Sequence, residues 1–256
     1  MVGRLADRVV VVAGASTGIG RATALRLASE GARLMVGSPA SEQALIEGLV
    51  EEIRAQGGNA IGTAFDATDD ASMADLVALV RAEYGGIDAF HANFADLRVI
   101  MEDSDAATVS DDVLERTLDV NLKGMLRATR HAVPALLERG GGAMIYTSST
   151  ASIAGEAARP CYAMAKSGLN ALMRHVASTW GRQNVRANAI MPGFVHTPER
   201  RAFIPQEVSD FMLQQCRLPR LGEPEDIAGM VAFLASRDGD WMTGQCIAVD
   251  GGSVLR

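Results

Sequence analysis

The chain opens with a β-branched run that leads into a glycine-rich turn and then into an amphipathic stretch. The run Val9–Ala13 is followed by Gly-Ala-Ser-Thr-Gly-Ile-Gly at residues 14–20 and by the helical stretch Arg21–Glu30. Similar strands and helices alternate through the rest of the 256 residues. Strands separated by helices of this length predict βαβ units, because parallel strands need a crossover connection. The repeating unit is therefore strand, turn and helix.

The predicted elements continue to the carboxyl end. Further strands are predicted at Arg33–Val36, Ala60–Phe65, Ile87–Ala92, Ala143–Ser148, Val185–Met191 and Cys246–Val249. Further helices are predicted at Ser41–Gln56, Asp70–Tyr84 with Asp69 as its cap, Asp111–Glu138, Pro160–Gly181 and Glu225–Ala235. No linker or repeat divides them. We expect an α/β fold with a doubly wound, Rossmann-type parallel sheet, helices on both faces and one domain over residues 1–256.

The glycine spacing predicts a phosphate-binding turn. Gly14, Gly18 and Gly20 lie between a strand and a helix, which is the context that makes such a pattern informative. Glycine lets the backbone approach a pyrophosphate, and the helix behind it offers free N–H groups and a positive dipole end. The alternative is a tight strand–helix turn that binds nothing. Asp66, after the third strand, could accept a hydrogen bond from an adenine amino group or serve as a loop or N-cap carboxylate.

Three residues of the second half can handle a proton. Tyr162 and Lys166 are four residues apart, so on a helix they share one face, and Ser149 follows a predicted strand. A nearby cation favours the phenolate of a tyrosine, whose ordinary pKa is near ~10. A serine hydroxyl could hold the substrate oxygen. The alternative is one turn of ordinary amphipathic helix.

Composition excludes several functional classes. The net charge of −7 provides no basic surplus for nucleic acid. No apolar stretch reaches the length of a membrane span and the start lacks a signal-peptide layout, so we expect a soluble, cytoplasmic protein. Neither the cysteines nor the histidines show ligand spacing, and we expect reduced thiols and no metal site. These residues are Cys161, Cys216 and Cys246, and His91, His131, His175 and His196.

Taken together and in order, these residues resemble the short-chain dehydrogenase/reductase family. The resemblance runs from about Val9 to Gly252. It rests on the glycine loop, Asp66, Asn121 within Asp119–Gly124, Ser149, Tyr162 and Lys166, and on the stretches Pro192–Thr197, Arg220–Ala228 and Thr243–Gly252. Any one of these motifs is weak, whereas the ordered set is specific.

The resemblance implies an oxidoreductase that interconverts a secondary alcohol and a carbonyl compound by hydride transfer. By it, Tyr162 is the general acid/base, Ser149 orients the substrate oxygen, Lys166 lowers the tyrosine pKa and holds the nicotinamide ribose, and Asn121 supports a water relay to Lys166. It also implies a homo-oligomer, most often a tetramer, formed through the long helices. The cofactor-binding residues that it implies are Gly14, Ser16, Thr17, Gly18, Ile19, Gly20, Ser38, Asp66, Ala67, Asn93, Ala95, Tyr162, Lys166, Pro192, Gly193, Val195 and Thr197.

Two stretches depart from the family pattern. Ala13 stands where a threonine usually ties the glycine loop to a neighbouring strand. The segment Ala92-Asn93-Phe94-Ala95 keeps one asparagine, while Phe94 and Ala95 replace a small residue and a glycine beside the adenosine ribose. We expect the backbone there to differ and cofactor affinity to fall.

The residues after the second strand bear on the choice of cofactor. An Asp there would bind the ribose hydroxyls of NAD, and an Arg would bind the 2′-phosphate of NADP. The stretch Gly37–Ser41 has neither, and no cation is evident to neutralise a phosphate. This favours NAD, while the hydroxyls of Ser38 and Ser41 leave NADP open.

The segment 194–218 is the expected substrate loop. Its apolar side chains predict either a lid over a lipophilic alcohol or ketone, or a helix packed on the core. They are Phe203, Ile204, Phe211, Met212 and Leu213. Two other functions stay open: a dinucleotide-binding regulatory or scaffold protein without turnover, and an enoyl reductase, which the four-residue spacing of Tyr162 and Lys166 disfavours.

Overall fold

The first strand shows how the sheet is covered on both sides. In the computed structural model, which describes residues 3–201 and 203–255, β1 spans Val9–Ala13 and all five residues are buried. Val9 and Val11 face one hydrophobic cluster, whereas Val10 and Val12 face another. Successive side chains of a strand point to opposite faces, so an unbroken apolar run requires helices on both.

The remaining strands and helices follow in alternation. The strands are β2 (Arg33–Ser38), β3 (Asn59–Ala64), β4 (Ala89–Ala92), β5 (Gly142–Thr147), β6 (Val185–Pro192) and β7 (Cys246–Val249). The first five helices are α1 (Gly18–Ser29), α2 (Gln43–Ala55), α3 (Asp70–Tyr84), α4 (Asp111–Leu118) and α5 (Met125–Glu138). The others are α6 (Ala151–Ala154), α7 (Pro160–Trp180), α8 (Pro198–Arg201), α9 (Gln206–Gln215) and α10 (Pro224–Ala235).

All seven described strands pair in parallel, in the order β3-β2-β1-β4-β5-β6-β7. Helices α1, α2 and α10 cover one face, and α3, α5 and α7 cover the other. The chain winds outward from β1 to β3 and then crosses back to β4, which makes the gap between β1 and β4 a topological switch point. Ligands of open α/β sheets bind at the carboxyl ends of the strands there. The expected doubly wound single-domain fold is confirmed.

The long helix expected at Asp111–Glu138 is present but changes its winding midway. Between α4 and α5 the segment Asp119–Gly124 is a π-helix. A wider turn of this kind frequently marks a functional site, and this one contains Asn121. The predicted cap of α3 is confirmed, because the Asp69 carboxylate accepts a hydrogen bond from the Ala71 N–H at 3.0 Å.

Phe94, at the start of the loop after β4, turns into the core. Its side chain is 7% exposed, and its ring packs edge to face on Phe65 with 5.5 Å between centroids. A Cβ on Gly124 would lie only 3.1 Å from the same ring. The Phe94 ring, which stands where the family pattern has a small residue, is therefore accommodated in the core between the sheet and its helices.

We expect Phe94→Ala to lower the free energy of unfolding by about 3–5 kcal/mol, because truncating a buried ring removes its contacts and leaves a cavity. Equilibrium denaturation in urea measures the loss. Phe203→Ala is the matched control, since Phe203 is 85% exposed, and it should change stability by less than about 0.5 kcal/mol. Equal effects of the two variants would contradict the packing described for Phe94.

Candidate active site at the carboxyl ends of the strands

The glycine loop between β1 and α1 is held by backbone and side-chain hydrogen bonds. Gly14 has a φ of 92°, and its N–H donates to Gly37 O at 2.7 Å. Its carbonyl oxygen accepts the Asn93 side-chain amide at 2.7 Å. A Cβ on Gly14 would lie 2.7 Å from Phe94 N, and one on Gly20 would lie 1.8 Å from Gly14 O. Both positions therefore require glycine for close backbone packing.

Ser38, at the end of β2, forms hydrogen bonds with the backbone of this loop. It is 1% exposed, and its hydroxyl oxygen accepts the N–H groups of Ala15 and Ser16, each at 3.1 Å. These bonds tie the loop to β2, which is the task that the hydroxyl missing at Ala13 would have had. The predicted contact of Ser38 with the cofactor would have to come from an oxygen already engaged by two loop N–H groups.

The amino end of α1 has no side-chain cap, although a carboxylate approaches it from the segment after β6: Glu199 Oε2 lies 3.9 Å from where a Cβ on Gly18 would be. Thr17 is its N-cap but makes no side-chain capping bond, and no acidic side chain lies in the first turn. The first N–H groups of a helix lack partners within it and carry its positive dipole end. A Cβ on Gly18 would lie 3.0 Å from Thr197 Cγ2, so the segment after β6 lies over the same turn. The pyrophosphate of a dinucleotide fits this end of the helix.

A series of side-chain hydrogen bonds connects the core to the glycine loop. The Thr147 hydroxyl donates to Asn93 Oδ1 at 2.9 Å, so the bond between Thr147 Oγ1 and His91 Nε2, at 2.8 Å, has the histidine as donor. The His91 Nδ1 atom is then an unprotonated nitrogen without a partner in the described chain. Complete burial lowers the pKa of His91 to about 3, and the ring stays neutral. The last hydrogen bond of this series runs from the Asn93 side-chain amide to Gly14 O.

Lys166 lies in α7, and its side chain extends to the end of β5, where the ammonium group is buried. The residue is 1% exposed, and its Nζ donates to Thr147 O at 2.8 Å. The Tyr162 ring centroid is 5.7 Å from Nζ, as expected for side chains one turn apart on α7. Burial lowers the pKa of Lys166 to about 8, so the side chain is largely cationic at neutral pH but close to titration.

Ser149 is fastened to the helix that carries Tyr162 and Lys166. Ser152 Oγ donates to Ser149 O at 2.6 Å and accepts the Asn170 side-chain amide at 2.9 Å. Ser167 Oγ donates to Ser152 O at 2.9 Å. Ser149 Oγ accepts the Ala151 N–H at 3.1 Å, which leaves its own proton to donate. Two side chains of α7 thereby set the position of Ser149.

Asp103 holds the first turn of α7 from the loop between β4 and α4. Its carboxylate accepts the N–H groups of Cys161 at 3.2 Å and of Tyr162 at 2.9 Å. Its carbonyl oxygen accepts the Arg159 N–H at 2.9 Å. Asp103 is 2% exposed and sequence reasoning did not identify it. Burial and, to a smaller extent, the side-chain hydrogen bond and the charge of Asp103 raise the pKa of the Cys161 thiol to about 11, which excludes a thiolate at neutral pH.

Asn121 in the π-helical segment holds the loop after β4. Its Oδ1 accepts the Asp96 N–H at 2.7 Å, and its Nδ2 donates to Asp96 O at 3.2 Å. Both ends of the amide are thus engaged with Asp96, and the water relay expected at Asn121 stays a prediction. The Asp96 carboxylate forms ion pairs with Arg98 and, at 3.3 Å, with Arg116. The hydrogen bond from Arg98 lowers the pKa of Asp96 to about 2.

Other predicted residues also lie around the switch point. Asp66 is exposed and accepts Thr68 N–H at 2.8 Å and Thr68 Oγ1 at 2.7 Å, which makes it a loop carboxylate with a lowered pKa. Its contact with adenine stays a prediction. Ala67 is buried beside Gly124, and Ala95 is exposed at the loop surface.

Backbone contacts hold the end of β6 and the stretch that follows it. Pro192 O accepts the Thr150 N–H at 3.1 Å, and Val195 pairs with Gly222 in an isolated bridge. A Cβ on Gly193 would lie 2.8 Å from the Asp250 Cα. These contacts connect the predicted nicotinamide-side residues to β7 and to the segment before α10.

The expected substrate loop contains both exposed and half-buried apolar side chains. Ala202 lies outside the described residues. In α9 the one buried residue is Ser209, while Phe211 is 56% exposed; Phe203, before the helix, is 85% exposed. Ile204, Met212 and Leu213 are half-buried, so a covering segment and a stripe packed on the core both stay predictions.

The described part of the chain contains no group of three or more His, Cys, Asp or Glu side chains placed to hold a metal ion. Among residues 3–201 and 203–255, no helix combines the length and the apolar character that crossing a membrane requires.

Comparison with known proteins identifies relatives over nearly the whole chain. A family model described as "Enoyl-(Acyl carrier protein) reductase" matches residues 14–253. The 7alpha-hydroxysteroid dehydrogenase of Bacteroides fragilis is 31% identical over 252 residues, covering 98% of this chain and 96% of its own. The L-rhamnose 1-dehydrogenase (NAD(P)(+)) of Azotobacter vinelandii is 36% identical, covering 97% of each chain.

Among solved structures, a 7 alpha-hydroxysteroid dehydrogenase complexed with NADH and 7-oxo glycochenodeoxycholic acid superposes with a TM-score of 0.90. It is 27% identical, and the match covers 99% of this chain and 96% of that one. The fold therefore has a structural counterpart in a protein that was solved with NADH bound.

We expect Lys166→Met to raise the melting temperature at pH 7, because it removes a buried charge. The unfolded chain keeps this lysine proton up to its ordinary pKa of 10.5, whereas the folded chain releases it near pH 8. Folding therefore releases a proton between these values, and the stability of the unmodified protein rises with pH across that window.

The gain from Lys166→Met should accordingly be largest below pH 8 and shrink toward pH 10.5, at about 2–4 °C for each kcal/mol recovered. Thermal unfolding at several pH values measures it, with the exposed Lys123→Met as the control that shows no such trend. A gain independent of pH would contradict the assignment of Lys166 as the titrating group.

Proposed function

The chain belongs to the short-chain dehydrogenase/reductase family, and we propose that it interconverts a secondary alcohol and a ketone with Tyr162 as the general acid/base. Its relatives are named as dehydrogenases and reductases that act on alcohol and carbonyl groups. The observation that carries the proposal is the buried Lys166 ammonium, 5.7 Å from the Tyr162 ring at the carboxyl edge of the sheet.

Each side chain has a separate chemical task. Tyr162 takes the hydroxyl proton of an alcohol or returns a proton to a carbonyl oxygen. The Lys166 ammonium favours the phenolate form through its charge, and burial strengthens that interaction. Ser149 donates its proton to the substrate oxygen. A bound nicotinamide would accept or supply the hydride.

The residues that would hold the cofactor lie at the switch point. The uncapped first turn of α1 would bind the pyrophosphate, and the segment Pro192–Thr197 would border the nicotinamide. Asn93 holds the glycine loop for this task through Gly14 O. NAD stays our preferred cofactor over NADP, since no cation occurs in residues 9–20 or 34–53.

The substrate is proposed to be a lipophilic secondary alcohol or its ketone. Exposed apolar side chains at Phe203 and Phe211, in the segment 194–218, are suited to cover such a molecule. The hydroxysteroid and sugar dehydrogenases among the relatives define the range to search. A homo-oligomer, most often a tetramer in this family, and a cytoplasmic location stay predictions.

The alternative of an enoyl reductase keeps one supporting observation, the description of the matching family model. Against it stand Tyr162 and Lys166 one helical turn apart, and relatives named for alcohol oxidation. A binding protein without turnover has no need for a Ser149 that is tied through Ser152 to the helix that carries Tyr162, and no observation favours it.

We expect Tyr162→Phe to lower kcat/KM at least about 100-fold, because proton transfer by a positioned side chain contributes that much or more. The assay follows reduced nicotinamide with a panel of hydroxysteroids, sugars, cyclic and aromatic secondary alcohols. Tyr84→Phe is the control, since it removes the same hydroxyl from α3, where the group donates to Asn59 Oδ1 at 2.8 Å.

Turnover retained by Tyr162→Phe would refute the role of that phenol. Reduction of an enoyl thioester by the unmodified protein, without oxidation of any alcohol in the panel, would favour the enoyl reductase instead.

A further inference from the structure

The first turn of α7 obtains its hydrogen-bond acceptors from a distant loop. Its N-cap residue, Arg159, forms no side-chain capping bond, and Pro160 at the first helical position has no N–H group. The next two N–H groups, those of Cys161 and Tyr162, have no acceptor within the helix, because its first turn offers none. Both donate to the carboxylate of Asp103, at 3.2 Å and 2.9 Å. One buried carboxylate therefore completes the turn that carries Tyr162.

The residue before the helix is held by the same loop. Arg159 has a φ of 66° and a ψ of 46°, in the left-handed region, which costs free energy for a residue other than glycine. Its N–H donates to Asp103 O at 2.9 Å and to Ser104 O at 3.2 Å. Asp103 therefore fixes the entry to α7 with its main chain and the first turn with its side chain.

Tyr162 lies between two fixed points of α7. Its own N–H is bound to Asp103, and one helical turn later Lys166 Nζ donates to Thr147 O at 2.8 Å. The side chains of Tyr162 and Lys166 share one face of the helix. A shift or rotation of the first turn would accordingly move the phenol relative to the ammonium group, which Thr147 holds in place.

Burial and charge strengthen the contact of Asp103 with α7. The residue is 2% exposed, and hydrogen bonds to a charged acceptor are stronger than those between neutral groups. The positive dipole end of the helix also favours a carboxylate at this place. The loop that carries Asp103 is fixed near its start as well, where the Asn121 side chain binds both backbone groups of Asp96. The loop therefore relates the position of Tyr162 to the π-helical segment.

We propose that Asp103 is a positioning residue for Tyr162: its carboxylate sets the place of the phenol relative to the substrate oxygen and to Lys166, and it contributes to turnover only through that phenol. The inference rests on the proposed function, in which Tyr162 transfers the proton. Asp103 itself neither gives nor takes a proton in this role. Catalysis by an oriented group is sensitive to small displacements, since an error of about 1 Å can lower a rate by roughly 100-fold.

The first test is Asp103→Asn, which keeps the size of the side chain but places an NH2 group opposite one of the two N–H groups. We expect kcat for the alcohol that turns over to fall by roughly tenfold or more. The dissociation constant of ADP-ribose, measured by isothermal titration calorimetry, should stay unchanged, because the glycine loop is held by Ser38 and Asn93. An unchanged kcat, or a loss confined to ADP-ribose binding, would overturn the inference.

A double-mutant cycle separates positioning from a general structural role. Asp103→Asn introduced into Tyr162→Phe should lower the residual turnover no further, because residues that act as a unit have non-additive effects. A side chain that only stabilises the fold would lower turnover by the same factor in both backgrounds. Equal factors would therefore overturn the inference.

Asp105→Asn is the matched control. Asp105 lies two residues further along the same loop and also accepts a backbone N–H, that of Ala107 at 2.8 Å, but it is exposed and binds within its own loop. This variant should leave kcat unchanged. Melting temperatures above the assay temperature would show that both variants fold.

Amide hydrogen exchange of the unmodified protein tests the contact even if Asp103→Asn fails to fold. The N–H groups of Cys161 and Tyr162 should exchange more slowly than that of the exposed Ala107, because a buried carboxylate binds them. Exchange as fast as that of Ala107 would show that Asp103 does not hold the turn, and would overturn the inference.

The outcomes distinguish this inference from the proposed function. Turnover that depends on Tyr162 but not on Asp103 would leave the proposed reaction standing and refute the positioning role. If no alcohol or ketone turns over while the two amides are protected, the proposed reaction fails, and Asp103 is a helix cap without a role in turnover.

Discussion

A single buried ammonium organises the centre of this protein. Lys166 has almost no contact with solvent, and its Nζ donates a hydrogen bond to the carbonyl oxygen of Thr147, the last residue of β5. Burying a charge is costly unless the surroundings compensate for it, and the lowered pKa records that cost. The sheet edge, α7 and the Ser149 turn must therefore meet in one arrangement for the charge to be accommodated beside Tyr162.

The same strand end connects two halves of the proposed chemistry. The carbonyl of Thr147 receives Lys166, while its hydroxyl donates to Asn93, which in turn holds Gly14 of the glycine loop. A proton-handling group and a phosphate-binding turn are thus anchored through one residue. Because polar groups in a low-dielectric interior are costly when unpaired, loosening one bond of this network disturbs the others. This coupling gives the site its rigidity.

The sheet, its helices and the catalytic candidates can be predicted from the sequence because each depends on local or periodic signals. Unbroken apolar strands, capped amphipathic helices and glycine turns are visible within a few residues. Sequence reasoning failed where a side chain acts across the fold. The contact of the Phe94 ring with Phe65 in the core is one such case, while the fall in cofactor affinity expected from this segment stays a prediction. Asp103, in an irregular loop, gives no periodic signal, and only the folded chain brings it to the N–H groups of α7.

Local sequence patterns are sufficient to predict the alternation of strands and helices, the glycine turn after the first strand and the order of Asn121, Ser149, Tyr162 and Lys166. The hydrogen bonds of two polar side chains depend on the folded chain: Ser38 accepts N–H groups of the glycine loop, and Glu42 accepts the hydroxyl of Ser16. The physical reason is that periodicity and motif spacing act over a few residues. The hydrogen-bond partner of a polar side chain depends on which distant backbone groups the packed sheet leaves within about 3 Å.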